Sequence, residues 1–274
     1  MAQRDEWIVL QITDTNFPAG SLGNSSGLES ALAHGKVERG NPRSFFEFAI
    51  LILEQNVHQM LPFLEAAYNA SHKEGGLSKD TLLQLDQVCN ATVTNESSSR
   101  SSITQGKCFF KACKACFADG NEDLYDYSVF VGTVDDGSKD FERVTRVLDD
   151  ALNEEMQGHY PVIFGTVAAG LGLSLNMTCR AFMRCVLRDI CSCATRLNIV
   201  GPLEGANMQA KIAPTVEIMI TAFCSKKDSV VEDDSVYSQG VLKGLFSRVP
   251  VSPSPLVDLL QSRHDALYSR LFNS

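Results

Sequence analysis

"GHYPVIFGTVAAGLG", residues Gly158 to Gly172, is the stretch whose reading decides the fold class. A membrane helix needs about 20 consecutive apolar residues. The run from Tyr160 to Met177 is shorter, is interrupted by Gly165, Gly170 and Gly172, and contains Ser174 and Asn176. A phosphate-cradling loop would want a strand before it and a Lys-Ser or Lys-Thr pair after it, and this stretch has neither. Pro161 falls where proline is tolerated, in the first turn of a helix. Gly165, Ala168, Ala169 and Gly172 would then let a second helix approach closely. The stretch reads as a buried helix.

Working outward, helical spacing recurs and strand-type alternation is scarce. Asn41 stands as an N-cap before Pro42, and Phe45, Phe48, Ala49, Ile52 and Leu53 follow at helical intervals. Pro62 should kink or divide this region, because it removes a backbone donor. Ser78 caps a segment with Leu82, Leu85 and Val88 on one side. Ile103, Gly106, Phe110, Cys113 and Phe117 make another stripe, and Phe141, Val144, Val147, Leu148 and Leu152 a third. A long helix is expected over Thr178 to Asn198. Another restarts after Gly201-Pro202 with Pro214 as a kink, and a short amphipathic one leads to the C-terminus. Polar linkers are expected at Asn90 to Ser99, Asp119 to Asp123 and Ser225 to Ser238. The expectation is an all-α fold, one domain over residues 1–274, with roughly eight to eleven helices.

Composition limits the function. The 274 residues are 44% hydrophobic and 21% charged, as in soluble globular proteins. A net charge of −9 without a Lys/Arg run argues against nucleic acid or an anionic membrane as partner. The N-terminus carries Arg4, Asp5 and Glu6 and no apolar signal region, so a cytoplasmic location is expected, with the nine cysteines as free thiols.

The candidate chemistry is sparse. Cys113 and Cys116 have the spacing of a metal knuckle or redox pair, but aromatic residues surround them, and core or surface thiols are the better reading. Cys191 and Cys193 fall on divergent helix faces. His159 is the most suggestive histidine, although none of the five forms a ligand doublet and a capping or core role is favoured. Gly23 to Gly27 has Gly-x-Ser-x-Gly spacing but no strand-type run before it, so it is not read as a nucleophile elbow, and there is no Gly-x-Gly-x-x-Gly and no Walker-type loop. No active site and no cofactor held by the chain itself are expected, which leaves an interaction protein.

Two segments stand apart from core and ordinary turn. Leu10 to Val37 is a glycine-rich passage with Asp14, Phe17, Pro18, Gly20, Gly23 and Gly27, followed by Leu28 and Glu29 at a helix entry. An irregular loop of this kind holds one shape only when packed against something. The tail from His264 to Ser274 places Tyr268, Leu271 and Phe272 beside Arg270. Large apolar groups at a chain end invite a partner or an intramolecular dock.

The first segment resembles the N-terminal signature of the UreF family of urease accessory proteins. It matches through Leu10, Gln11, Asp14, Phe17, Pro18, Gly20, Ser25, Gly27, Leu28 and Glu29. Arg100, Ser101 and Gly106 are similar to a second family segment, and "GHYPVIFG" to a third. Arg196, Leu197, Pro202, Leu203 and Gln209 match a fourth, and His264, Ser269, Arg270, Leu271, Phe272 and Ser274 the family's ending. The wording around "LRDICSCATRLNIVGPL" is closest to the eukaryotic branch. Where the family's loop commonly carries aromatic or polar residues, this chain has Leu22 and Asn24.

The resemblance implies an all-α, dimerising protein without enzyme activity. Such a protein would bind a UreD-type (UreH-type) accessory protein and recruit the UreG-type GTPase, so that nickel reaches the urease apoprotein. Nickel, GTP and magnesium would belong to the assembly. Loop 10–37 and tail 264–274 would be the partner-binding segments, with the tail ordering on the UreD-type protein. Phe17, Pro18, Gly20, Gly27, Glu29, Arg196, His264, Tyr268, Arg270, Leu271 and Phe272 would carry the contacts. Direct handling of nickel or zinc by Cys113, Cys116 and His159 is the alternative. Arg196 and Arg270 are the candidates for an arginine supplied to the GTPase.

Overall fold

A computed structural model describes residues 2–73, 76–118, 137–225 and 242–274. Among these, eleven α-helices follow in order: α1 (Ala2–Ile12), α2 (Leu28–Ala33), α3 (Pro42–Gln55), α4 (Leu61–Ser71), α5 (Lys79–Thr92), α6 (Glu96–Phe117), α7 (Gly137–Glu154), α8 (Tyr160–Gly170), α9 (Leu175–Arg196), α10 (Pro202–Ser225) and α11 (Pro255–Ser262). The fold is all-α, as the helical periodicities imply.

Helix α8 is the axis of the molecule, and every residue from Tyr160 to Gly170 is buried. A helix apolar on all sides can sit only where neighbours cover all of them, and α4, α6, α7 and α9 pack around it. Two crossings are so close that only glycine fits. A Cβ on Gly165 would lie 2.3 Å from the Leu64 carbonyl oxygen of α4, and one on Gly106 of α6 would lie 2.1 Å from that of Gly158. At one end of this axis Phe109, Tyr160, Phe164 and Phe182 interlock, with the Phe109 and Phe164 rings stacked at 4.7 Å between centroids. Phe109 is fully buried and completes the α6 stripe. Ile103, which the spacing also placed there, is only half-buried.

The entry to α8 is fixed by a carboxylate. Asp86 of α5 is buried and accepts the backbone N–H groups of Gln157 at 2.6 Å and His159 at 2.8 Å, with Gly158 at 3.2 Å. These donors lead into the helix, His159 being its N-cap residue, and a negative charge at a helix start is favoured by the helix dipole.

The prolines act differently from one another. Between α3 and α4 the chain makes a π-helical turn over Asn56–Met60, and Pro62 lies in the first turn of α4. Because Pro62 has no N–H, the His58 carbonyl needs another donor, and the Val251 N–H supplies it at 3.0 Å. Helix α10 runs on through Pro214 without interruption. The polar stretch Asn90 to Ser99 is not a linker either. Asn90 belongs to α5, and Asn95 caps α6 by accepting the Ser98 N–H at 2.7 Å. The linker expected at Asp119 to Asp123, and that from Ser225 onward except Ser225 itself, lie outside the described residues.

Candidate partner-binding surface

The loop after α1 is held chiefly by Arg188 of α9, with Arg184 of the same helix donating to Thr13 Oγ1 at 3.3 Å. Arg188 is paired with Asp189 at 2.7 Å, both side chains largely buried. Its guanidinium also donates to the carbonyls of Thr13 at 2.9 Å and Asp14 at 2.8 Å, and to Ser21 Oγ at 3.3 Å. Burial pushes the Asp189 carboxyl up from its ordinary value, with Arg188 opposing. A planar fork of donors can pin a carboxylate, two carbonyls and a hydroxyl together. Phe17 is buried and meets Phe109 edge-on, with centroids 6.0 Å apart. Gly20 and Gly27 adopt positive φ of 73° and 83°, which side-chain-bearing residues rarely tolerate. Pro18 and Gly20 face solvent.

The C-terminal tail folds onto this loop. Glu29, buried in α2, accepts the Leu271 N–H at 2.6 Å and the Phe272 N–H at 3.1 Å. The Asn273 N–H donates to the Gly23 carbonyl at 2.9 Å, and the Ser25 N–H to that of Ser274 at 2.6 Å. His264 is fully buried, with its Nε2 3.2 Å from the Phe272 carbonyl oxygen. The Phe272 ring is buried beneath the Arg196 guanidinium, 4.5 Å from the ring centre, a favourable cation–π arrangement. The tail therefore packs on its own molecule, against the loop, where the sequence reading placed its docking on the UreD-type protein.

Beside the tail, Arg100 of α6 meets both oxygens of Asp265 at 2.9 Å, and Arg270 donates to one of them at 2.7 Å. The hydrogen bond from Arg100, reinforced by Arg270, holds the Asp265 carboxyl below its usual range. A groove of about 800 Å³ opens here, lined by Gly20, Gly23, Arg100, Thr104, Arg270 and Leu271 among others.

Of the eleven contact residues expected from the sequence, the structure brings most to this junction and divides them by role. Phe17, Gly27, Glu29, His264 and Phe272 are buried and shape the junction from within. Pro18, Gly20, Arg196, Tyr268, Arg270 and Leu271 remain exposed, Tyr268 completely. Sequence reasoning missed Arg188, Asp189 and Asp265, because Arg188 reaches Thr13, Asp14 and Ser21, and Asp265 reaches Arg100, all remote in the chain. Gln261 was missed too; its Oε1 accepts from Asn95 at 3.1 Å and Ser98 at 2.7 Å, fastening α11 to α6.

The thiols and histidine of the metal-handling alternative are placed otherwise. Cys113 is buried, and burial raises its pKa well above the ordinary thiol value, whereas Cys116 is exposed. His159 is buried, its Nε2 3.2 Å from Asn90 Oδ1 and its Nδ1 3.2 Å from Ser102 Oγ, which also accepts the Tyr160 N–H. These partners fit a neutral imidazole that donates through Nε2, and burial lowers its pKa. Among the described residues no group of three or more His, Cys, Asp or Glu is arranged to hold a metal, and no helix is long and apolar enough to cross a membrane.

Comparison with known proteins places this architecture. The UreF family model matches residues 40–213. Urease accessory protein F of Oryza sativa subsp. indica is 29% identical over 99% of this chain and 86% of its own length. Urease accessory protein F of Arabidopsis thaliana is 28% identical over 98% of this chain and 92% of its own length. An uncharacterized UreF-like urease accessory protein of Schizosaccharomyces pombe is 28% identical over 100% and 99%. The family model stops short of both the loop and the tail, but these alignments run through them. With more than half of its length matched by the family model, the chain belongs to the UreF family of urease accessory proteins.

Proposed function

We propose that this urease accessory protein is the adaptor that joins a UreD-type protein to a UreG-type GTPase in the assembly delivering nickel to the urease apoprotein. In this reading the chain contributes shaped surface and no bond-making chemistry. Nickel, GTP and magnesium are held elsewhere in the assembly, which acts in the cytoplasm with this chain as a homodimer. The UreD-type partner docks on the junction of loop and tail, with Tyr268 and Leu271 as apolar anchors and Arg270 at their side.

The observation that supports this most is the convergence of two sequence-remote segments on Glu29. It leaves Tyr268 wholly exposed and Leu271 63% exposed on an ordered backbone. Pre-ordered anchors lose little conformational entropy on binding, and aromatic and arginine side chains dominate interface affinity. Deleting the whole tail would remove the buried Phe272 as well, so substitutions at the exposed side chains are the cleaner probe. The test is co-expression with UreD-type and UreG-type proteins and affinity purification with and without GTP. Co-purification of the UreD-type protein with this chain, and of the GTPase with the pair, is expected. Failure to retain the UreD-type protein ends the reading.

A further inference from the structure

Of the nine prolines in the chain, only Pro253 and Pro255 follow a hydroxyl-bearing residue, Ser252 and Ser254. Both pairs fall in the strap 249–254, which is neither helix nor strand and leads into α11. A residue before a proline is kept out of the helical region, and Val249, Ser252 and Ser254 each precede one. The two serines differ in surroundings. Ser254 is buried, and its N–H donates to Gln55 Oε1 at 3.1 Å. Ser252 is exposed, with Val251 and Pro253 exposed on either side. Its hydroxyl joins two helices: Gln55 Nε2 of α3 donates to Oγ at 2.8 Å, and the Asp258 carboxylate of α11 accepts its proton. The same Gln55 nitrogen lies 2.9 Å from the other Asp258 oxygen, and Gln55 is itself buried. One exposed hydroxyl thus completes a latch between α3 and the start of α11. None of these groups belongs to the loop–tail junction.

We propose that Ser252 is a phosphorylation site, read by a proline-directed protein kinase with MgATP as donor, and that phosphate there opens the latch between α3 and α11. Ser252 has Pro253 directly after it and Pro250 two places before it, whereas Ser254 has only the proline that follows. Kinases of the mitogen-activated class favour an acceptor with prolines at both places. In the transfer the Ser252 oxygen attacks the γ-phosphorus of ATP and the bond to the β,γ-bridging oxygen breaks. ADP leaves, and the hydroxyl proton passes to the catalytic aspartate of the kinase. The product has no O–H to give Asp258, and it sets a charge of about −2 at pH 7 against that carboxylate. Arg248, nearby in the chain, is turned onto the Phe223 carbonyl at 2.7 Å and the centre of the Phe223 ring at 3.9 Å. Loss of the donor and like-charge repulsion act in the same direction, and the start of α11 loosens from α3.

The experiment incubates the full-length native protein with a mitogen-activated protein kinase and MgATP, and locates phosphate by tandem mass spectrometry of the tryptic peptide Val249–Arg263. One phosphate on Ser252 is expected. Ser254 should be modified at no more than about a tenth of that rate, since the strap must first open to release it. The Ser252→Ala variant should lose the rapid incorporation, and Ser254→Ala should keep it. Hydrogen exchange then reads the latch. In the phosphorylated protein the Val251 amide and the first amides of α11 should exchange at least about tenfold faster than in the unmodified protein. They should also exchange faster than in Ser252→Ala, which lacks the hydroxyl but adds no charge. Refusal of phosphate by the native protein, or modification of Ser254 ahead of Ser252, overturns the proposal. So does unchanged exchange at the start of α11 once Ser252 is fully phosphorylated.

Discussion

Glu29 accepts the backbone N–H of Phe272 at 3.1 Å across a separation of 243 residues, and that of Leu271 beside it at 2.6 Å. One buried carboxylate thus closes the loop against the tail, and Arg196 covers the aromatic ring that follows. The exposed face of the junction is as firm as this bond. Leu271 is held outward because Phe272 beside it is held inward, and Tyr268 stands exposed between the buried His264 and Phe272.

Glu29→Ala leaves two backbone donors without their acceptor. An unsatisfied buried donor costs about 1–3 kcal/mol, so the tail should detach while the helical bundle remains. Trypsin should then cleave after Arg270, and far-ultraviolet circular dichroism should hardly change. A variant whose tail resists protease as well as the parent would show that Glu29 does not hold it.

Gly106→Ala tests the α6–α8 crossing. The added methyl would lie 2.1 Å from the Gly158 carbonyl oxygen, which is backbone and cannot swing aside. A loss of about 3 kcal/mol is expected in urea unfolding, as for overpacked interiors. Gly201→Ala, where nothing lies within 4 Å, is the control and should stay within about 0.5 kcal/mol. Equal stability of the two variants would contradict the packing described.

The buried His159 makes stability depend on pH. Burial lowers its pKa from the ordinary 6.5, with the Asp86 charge acting in the opposite sense. The unfolded chain therefore binds this proton more readily than the folded one. Its contribution to stability is complete above the unfolded pKa of 6.5 and is lost as pH falls from there toward the lower folded pKa. The melting temperature should drop between pH 7 and pH 5, and His159→Gln should flatten that slope. A His159→Gln profile parallel to the parent's would remove His159 as the cause.

The all-α class, α8 at the centre and the importance of loop and tail were legible in the sequence because local signals carry them. Asn41, Ser78 and Ser174 cap helices with their own side chains, and apolar spacing exposes the buried faces of α3 and α7. The remainder depends on long-range pairing, which no local pattern encodes. Arg188 has no neighbour in the chain to announce that it grips Thr13 and Asp14, and Asp86 looks like any polar residue of an amphipathic helix until α8 begins above it. The tail illustrates the same point. Its apolar residues are visible as anchors, yet only the fold separates Phe272, which points inward, from Tyr268, which does not.

The decisive experiment is the affinity of the UreD-type partner for the Tyr268→Ala/Leu271→Ala double variant, titrated beside the unaltered protein. Both side chains are exposed, so melting temperatures should agree within about 0.5 kcal/mol of stability. A hot-spot side chain is worth about 2 kcal/mol, and binding should weaken at least about 30-fold. Unchanged affinity in a normally folded double variant would contradict the assignment of this junction as the docking surface.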